Sequence, residues 1–155
     1  MATLHLMVGL PCAGKTTAAK EIETRENALR LTPDEWQIRL FGQDAAEPEH
    51  DCRHDEIEAI MWTVAERALL LDTSVILDFG FWAKEEREDF RARAKKLGAD
   101  FKIHYCEAEP EELIRRLRAR NEIAHESGTV FHIAEKSMVE WISWFQPPDS
   151  EELER

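Results

Sequence analysis

The hydrophobic residues of the chain fall into short continuous runs that alternate with longer segments of helical periodicity. A short apolar run bounded by glycine or polar residues is typical of a strand that is buried on both faces of a sheet. Four runs of this kind predict strands over Thr3–Val8, Ala28–Leu31, Ser74–Leu77 and Phe101–Cys106.

The segments between these runs repeat apolar residues every three or four positions, which indicates helices with one buried face. They predict helices over Lys15 to about Arg25, Thr32 to about Gly42, Asp55–Leu71, Lys84–Leu97, Glu111 to about Arg120 and Ile133–Phe145. Strands that alternate with helices are joined by right-handed crossovers, which place helices on both faces of a parallel sheet. The predicted fold class is therefore α/β, in a single domain over residues 1–155.

Two of the predicted helices carry more detailed signals. The stretch T-P-D-E has the form of a helix start, with Thr32 as N-cap, proline at the first helical position and Glu35 closing a capping box. The helix over Asp55–Leu71 is expected to bury six apolar residues on one face, namely Ile57, Ile60, Met61, Val64, Ala68 and Leu71. Both helices would then pack against the predicted sheet.

Other segments lack periodicity. Gln43–His54 is polar and contains a proline, and we predict it as a loop. Its two histidines and one cysteine stand at alternate positions, which is not the paired spacing of a structural zinc site. The acidic tail, about residues 147–155, follows two prolines and is expected to be frayed.

A glycine-rich turn directly follows the first predicted strand. Gly9–Thr16 reads G-x-x-x-x-G-K-T and leads into a helix pattern. Glycines let the backbone N–H groups of such a loop point inward, and the helix directs the positive end of its dipole at the same place. Lys15 is expected to reach the β- and γ-phosphates of a nucleotide, and the Thr16 hydroxyl to help coordinate Mg²⁺. The predicted nucleotide-binding residues of this loop are Gly9, Pro11, Cys12, Ala13, Gly14, Lys15, Thr16 and Thr17.

Composition narrows the class of partner. The chain has 32 acidic and 20 basic residues, a formal net charge of −12, which is unfavourable for binding nucleic acid through many phosphate contacts. Three widely spaced cysteines indicate reduced thiols and a cytoplasmic location. No apolar run approaches the length of a membrane span, so we expect a soluble protein without a membrane partner.

Two carboxylates follow predicted strands at the same edge of the sheet as the glycine-rich loop. Asp34 begins a helix just after the second strand and is the candidate base that orients an acceptor hydroxyl. The helix dipole alone also favours a carboxylate at that position, so a purely structural role stays open. Asp78 ends the third strand, where it is expected to hold Mg²⁺ or contact Thr16, or else to contact the substrate.

Aromatic and basic residues supply further candidates for the site. Phe81 and Trp82 follow the third strand and either line an acceptor pocket or belong to the core. Arg116 and Arg120 lie one helical turn apart, ahead of a polar segment, and predict a lid over about residues 116–130 that closes over the phosphates. The alternative is a solvated basic face paired with Glu111 and Glu112.

These motifs together resemble a known family. A Walker A motif with proline at its third position, a T-P-D-x-W helix ending in L-F-G, a strand ending in D-F-G-F-W and an R-L-x-x-R-N lid helix are similar to small P-loop kinases grouped with the AAA-family ATPases. They are similar also to chloramphenicol phosphotransferases, zeta toxins and the kinase half of 5′-polynucleotide kinases. The resemblance implies a three-layer P-loop NTPase fold of the nucleotide-kinase type, with a four- or five-stranded parallel sheet and a helical lid.

The same resemblance implies ATP and Mg²⁺ as cofactors, Lys15 as a catalytic residue, Asp34 as the acceptor base and the two lid arginines over the phosphates. Polynucleotide kinases usually have arginine three residues after the base, whereas this chain has Gln37 there and Arg39 two residues later as a candidate substrate contact. We therefore expect an ATP-dependent phosphotransferase acting on a hydroxyl of a small molecule. The alternatives are a polynucleotide 5′-hydroxyl kinase and a nucleotide-dependent switch without a small acceptor.

Overall fold

The apolar runs form one parallel sheet. A computed structural model describes residues 1–128 and 130–154. Within these residues the four strands are β1 (Thr3–Val8), β2 (Leu29–Leu31), β3 (Val75–Gly80) and β4 (Asp100–Tyr105). Their order across the sheet is β2-β3-β1-β4, and β1 pairs in parallel with β3 on one side and β4 on the other. The predicted α/β fold with a four-stranded parallel sheet is confirmed.

The helical segments cover this sheet. The described residues form α1 (Lys15–Glu26), α2 (Pro33–Phe41), α3 (His50–Leu70), α4 (Lys84–Lys96), α5 (Pro110–Ser127), α6 (Glu135–Trp144) and α7 (Ser150–Glu154). Side chains alternate along β1, so that Leu4 and Leu6 pack with α3 and α4, while Met7 packs with Ile22 of α1 on the opposite face. Burial of both faces explains why β1 is almost wholly apolar.

The order of the strands places a crevice at the centre of the sheet. β1 and β3 are neighbours, and the helices that follow them, α1 and α4, pack on opposite faces. The two connections therefore diverge at the carboxyl ends of the strands, and such a point is where open α/β sheets bind ligands. The glycine-rich loop leaves β1 at this point.

The buried face of α3 differs from the predicted one. Ile57 and Met61 are buried as expected, but the row continues through Ala65 and Leu69. Ile60 and Val64, predicted as core, are exposed. α3 carries two adjacent apolar rows, and the sheet takes the row with the small Ala65, whose side chain allows close packing against large residues of the sheet.

Several boundaries also differ. α3 begins at His50 and not at Asp55, so the predicted loop ends five residues earlier. β3 continues to Gly80, which places Asp78 inside a strand. α5 continues to Ser127, about seven residues beyond its predicted end near Arg120. The predicted capping box is wrong, because the Thr32 side chain makes no cap hydrogen bond to its own helix.

The expectation of a frayed tail is wrong as well. α7 packs near β4, and the Glu152 carboxylate is buried against Arg87, which donates from Nε at 2.9 Å and from Nη2 at 3.2 Å. The parts of the predicted lid and tail at Thr129 and Arg155 lie outside the described residues. In the ranges that are described, no helix is both long and apolar enough to cross a membrane.

Candidate active site

The loop after β1 has the backbone shape of an anion site. Gly9 lies so close to the end of β4 that a Cβ on Gly9 would meet the Cys106 carbonyl oxygen at 2.7 Å. Its N–H donates to the Gly80 carbonyl at 3.0 Å, which ties the loop to the end of β3. Gly14 has φ +96°, and its α1 carries no side-chain cap, so the first N–H groups of α1 face the loop.

Lys15 lies within this loop. Its ammonium donates to the Leu10 carbonyl at 2.9 Å. Burial lowers the pKa of this ammonium, and the nearby carboxylates of Asp78 and Asp34 oppose that effect. A bound phosphate would add negative charge beside the ammonium and stabilise its protonated form.

Asp78 lies at the centre of a hydroxyl and carboxylate cluster. Its Oδ2 accepts hydrogen bonds from Thr16 Oγ1 at 2.7 Å and from Thr32 Oγ1 at 3.1 Å. Arg30 donates to Thr32 Oγ1 at 2.6 Å, which explains why the threonine side chain does not cap α2. Burial raises the pKa of Asp78, against the lowering effects of the Thr16 hydrogen bond and of Lys15.

The other oxygen of this carboxylate suits a hard cation. Asp78 Oδ1 is buried and has no hydrogen-bond partner among the residues described. A buried, unpartnered carboxylate oxygen is costly unless a ligand completes it. Since Mg²⁺ prefers oxygen ligands, Asp78 and the adjacent Thr16 hydroxyl fit the predicted metal role, which stays a prediction.

Asp34 lies in the first turn of α2 and faces the same cavity as Lys15 and Asp78. Its side chain is 42% exposed, and its Oδ1 is 3.9 Å from His54 Nδ1. The carboxylate is thus accessible to a bound molecule. This placement is the one that the predicted base requires, although the helix-dipole role is equally compatible with its position.

The predicted lid arginines both reach the phosphate loop. Arg116 Nη1 donates to the Cys12 carbonyl at 3.1 Å, and Arg120 Nη1 lies 3.5 Å from Cys12 Sγ. Arg116 also pairs with Glu112 at 2.8 Å, so the predicted surface pairing and the lid contact occur together. Arg120 Nε is buried without a partner in the described part of the chain, which leaves a donor for a phosphate.

A cavity of about 1140 Å³ joins these groups. Trp82 lines it and donates from its indole to the Gly9 carbonyl at 3.3 Å. Phe81, a predicted substrate contact, is only 2% exposed and packs on Phe90 in the core, because its positive φ of 44° turns the chain away from the cavity. Arg39, predicted for the same role, is exposed on α2 outside the cavity.

Sequence reasoning missed a buried polar network beside Asp34. Gln37 and Asp44 are fully buried, and Gln37 Nε2 donates to Asp44 Oδ2 at 3.1 Å. Asp44 also binds His50 at 2.7 Å and Arg53 at 3.1 Å, while Gln37 Oε1 binds His54 Nδ1 at 2.9 Å. The i, i+4 spacing of the two histidines was the available signal, and it was hidden because this stretch was predicted as loop.

His54 links this network to the candidate base. Burial would lower the pKa of His54, but the Glu58 hydrogen bond and the charges of Glu58, Asp34 and Asp55 outweigh burial and raise it. Among the described residues, no group of three or more His, Cys, Asp or Glu side chains is placed to hold a metal ion.

Gln43 is the second feature that the sequence did not reveal. Its Nε2 donates to the carbonyl oxygens of Val130 at 2.7 Å and Ala124 at 3.3 Å, and its Oε1 accepts from the His132 amide at 3.0 Å. One side chain from the segment after α2 therefore holds the backbone on both sides of the end of α5. We call this arrangement the Gln43 clamp.

The fold and the loop together define a P-loop protein. A family model described as an AAA domain matches residues 4–148. The chain belongs to this AAA domain family. A comparison with curated proteins found no match.

Solved structures with a similar fold are known. The chain is similar to a "putative kinase" from Chloroflexus aurantiacus, with 18% identity and a TM-score of 0.74 over 95% of this chain and 82% of the other. It is similar to Chaetomium thermophilum Kti12 in complex with ADP-AlF3, with 19% identity and a TM-score of 0.69 over 96% and 82%. It is similar to Mycobacterium tuberculosis APS kinase CysC in complex with AMPPNP and APS, with 18% identity and a TM-score of 0.57 over 92% of this chain and 96% of the other. At these identities the likeness shows the fold alone.

Proposed function

We propose that this protein is an ATP- and Mg²⁺-dependent phosphotransferase that moves the γ-phosphoryl group to a hydroxyl of a small molecule. The observation that carries the proposal is the shared cavity: the Asp34 carboxylate opens into the same space as Lys15, Asp78 and the lid arginines. Phosphoryl transfer requires a phosphate-binding site, a carboxylate beside the acceptor hydroxyl and cations that bind the phosphoryl group during its transfer.

Each of these side chains has a definable task. The loop N–H groups and Lys15 bind the β- and γ-phosphates, and Arg116 and Arg120 balance the charge that spreads over the γ-phosphoryl oxygens. Asp34 orients the acceptor hydroxyl and receives its proton as the new O–P bond forms and the bond to the β-phosphate breaks, which releases ADP. Thr16 and Asp78 would hold Mg²⁺, which supplies positive charge to the phosphates when bound.

The structural relatives support this class of reaction. Two of them are kinases by name, and two contain a nucleotide or a nucleotide analogue. The three cysteines are free thiols, which supports a reducing, cytoplasmic compartment. A nucleotide-dependent switch is less well supported, because a switch has no use for a carboxylate that is open to a second ligand.

The test is a transfer assay with γ-labelled ATP over nucleosides, sugars, amino alcohols, antibiotics and oligonucleotides. Asp34→Asn is expected to reduce transfer roughly 10²–10⁴-fold and to leave ATP binding unchanged. Asp89→Asn, at an exposed carboxylate on α4, is the matched control and should transfer normally. A folded Asp34→Asn protein with full transfer would contradict the role of Asp34, and phosphate release to water alone would contradict the phosphotransferase itself.

A further inference from the structure

The end of the cavity that faces the acceptor is strongly acidic. Asp34, Glu35 and Asp51 all line it, on α2 and on the first turn of α3. Glu35 is already paired with Arg30 at 3.2 Å, so the charge that faces a ligand comes from Asp34 and Asp51. The whole stretch from residue 34 to residue 58 contains nine aspartates or glutamates and two arginines. A cleft with low-dielectric walls and one sign of charge concentrates ligands of the opposite sign.

The two arginines of this stretch do not relieve that charge inside the cavity. Arg53 is held by Asp44 at 3.1 Å and by Glu47 at 3.5 Å. Arg39 is exposed and lies outside the cavity. The side chain of His54 faces Asp34 and Glu58, so any charge that it carries is already matched by carboxylates.

The cations that do line the cavity belong to its other end. Lys15 and Lys20 come from the phosphate loop and α1, and Arg116 and Arg120 come from α5 and contact the loop. These four side chains match the negative charge of a triphosphate. The cavity is therefore polarised, with its positive end at the nucleotide and its negative end at the acceptor.

An aromatic side chain also lies at the acceptor end. Phe131 lines the cavity there, and its ring meets His50 edge-on at 5.0 Å between ring centroids. Aromatic faces attract ammonium groups that are removed from water.

We infer that the acceptor is a cationic hydroxyl compound, one that carries a protonated or quaternary amine beside the hydroxyl that is phosphorylated. Asp51 binds the ammonium group of this compound. Asp34 orients its hydroxyl and accepts the hydroxyl proton. The inference rests on the proposed phosphotransferase activity and names its substrate class. It excludes nucleic acid 5′ ends and other anionic acceptors, whose phosphates would meet Asp34 and Asp51.

The test compares acceptors that differ in charge and little else. Choline is paired with its neutral isostere 3,3-dimethylbutan-1-ol, and glucosamine with glucose, while a 5′-hydroxyl oligonucleotide serves as the anionic acceptor. For the compound that is phosphorylated, we expect kcat/KM to fall at least about tenfold when the positive charge is removed. We also expect its KM to rise with ionic strength, because salt screens the attraction.

Asp51→Asn provides the second measurement. It is expected to raise KM for the amine about tenfold with little change in kcat or in the KM for ATP. Glu56→Gln removes the same charge from an exposed position of α3 outside the cavity and should leave all three constants unchanged. Equal or better phosphorylation of a neutral or anionic acceptor would overturn this inference alone, whereas a panel in which only water accepts phosphate would overturn the proposed function with it.

Discussion

The two ends of the cavity are built in different ways. The end that we propose binds the nucleotide, the nucleotide end, comes from one continuous stretch, Gly9–Thr16, and from two arginines that are one helical turn apart on α5. The end that we propose binds the acceptor, the acceptor end, comes from α2, from the segment after it, from the first turns of α3 and from residues 130–134. The first is encoded locally, and the second exists only after these four parts have packed together.

The ends also differ in how their charges are held. At the nucleotide end, Lys15 and Arg120 have carbonyl or sulfur partners, which are weak enough for a phosphate to replace. At the acceptor end, the buried Asp44 and Gln37 are held by several hydrogen bonds within the protein. This contrast indicates a nucleotide end designed for exchange of ligands and an acceptor end whose wall is fixed in advance.

The largest effect is expected at the nucleotide end. Arg120→Ala removes the guanidinium that lies over the phosphate loop, and turnover is expected to fall at least about 10³-fold, while the melting temperature changes little. Arg118→Ala is the matched control, because Arg118 lies on the same helix but pairs with Glu135 on its exposed side. Steady-state kinetics and thermal unfolding of both variants distinguish a loss of turnover from a loss of stability. A loss of stability in Arg120→Ala without loss of turnover would show that the basic face is only structural.

The contrast between the two ends explains what was predictable from sequence. The strands, the α/β class and the phosphate loop follow from short-range patterns, because a buried strand and a glycine-rich turn are each recognisable within eight residues. The Gln37–Asp44 pair is not recognisable in this way, since each side chain is polar and its burial depends on His50 and Arg53 from another helix. The sequence left open whether Phe81 lines the pocket or belongs to the core, because that choice depends on the left-handed backbone conformation at this residue and not on its side-chain type.

A third region is expected to affect stability more than it affects either end of the cavity. Arg87 on α4 and Glu152 on α7 are about 1% and 2% exposed, do not line the cavity and bind each other through two hydrogen bonds. Arg87 Nη1 also donates to the carbonyl oxygens of Phe81 at 2.9 Å and of Trp82 at 3.2 Å. Arg87→Met is expected to cost about 3 kcal/mol of unfolding free energy, because it leaves the Glu152 charge buried without its partner. Lys84→Met, which breaks the exposed contact to Asp149, is the control and should leave the melting temperature unchanged.

The same pair predicts a pH dependence with a definite sign. Burial alone would raise the pKa of Glu152, but the hydrogen bonds and charge of Arg87 outweigh it and lower the pKa. A carboxyl group whose pKa is lower in the folded protein stabilises it above the unfolded-state pKa, and that stability is lost as the pH falls through the folded-state value. Urea unfolding should therefore show wild type and Arg87→Met converging as the pH drops below about 4. Parallel curves over this range would contradict the assignment.

The smallest effect is expected at the Gln43 clamp, which joins the two ends. Gln43→Ala removes three hydrogen bonds to the backbone of Ala124, Val130 and His132, each worth about 1 kcal/mol at most in a partly exposed position. We expect amide hydrogen exchange at His132 to become faster and kcat/KM to fall roughly fivefold, because the wall at residues 130–134 is then less well positioned.

Gln146→Ala is the matched control for the clamp, since the Gln146 side chain also bridges distant segments. Its Oε1 accepts from the Lys84 amide at 3.0 Å, at the start of α4, and neither residue lines the cavity. It should change neither the His132 exchange rate nor kcat/KM. If Gln43→Ala speeds exchange and leaves kcat/KM unchanged, the clamp serves folding alone. If both change together, the acceptor end depends on packing between α2 and the lid, and the separation between a locally encoded nucleotide end and an assembled acceptor end extends to catalysis.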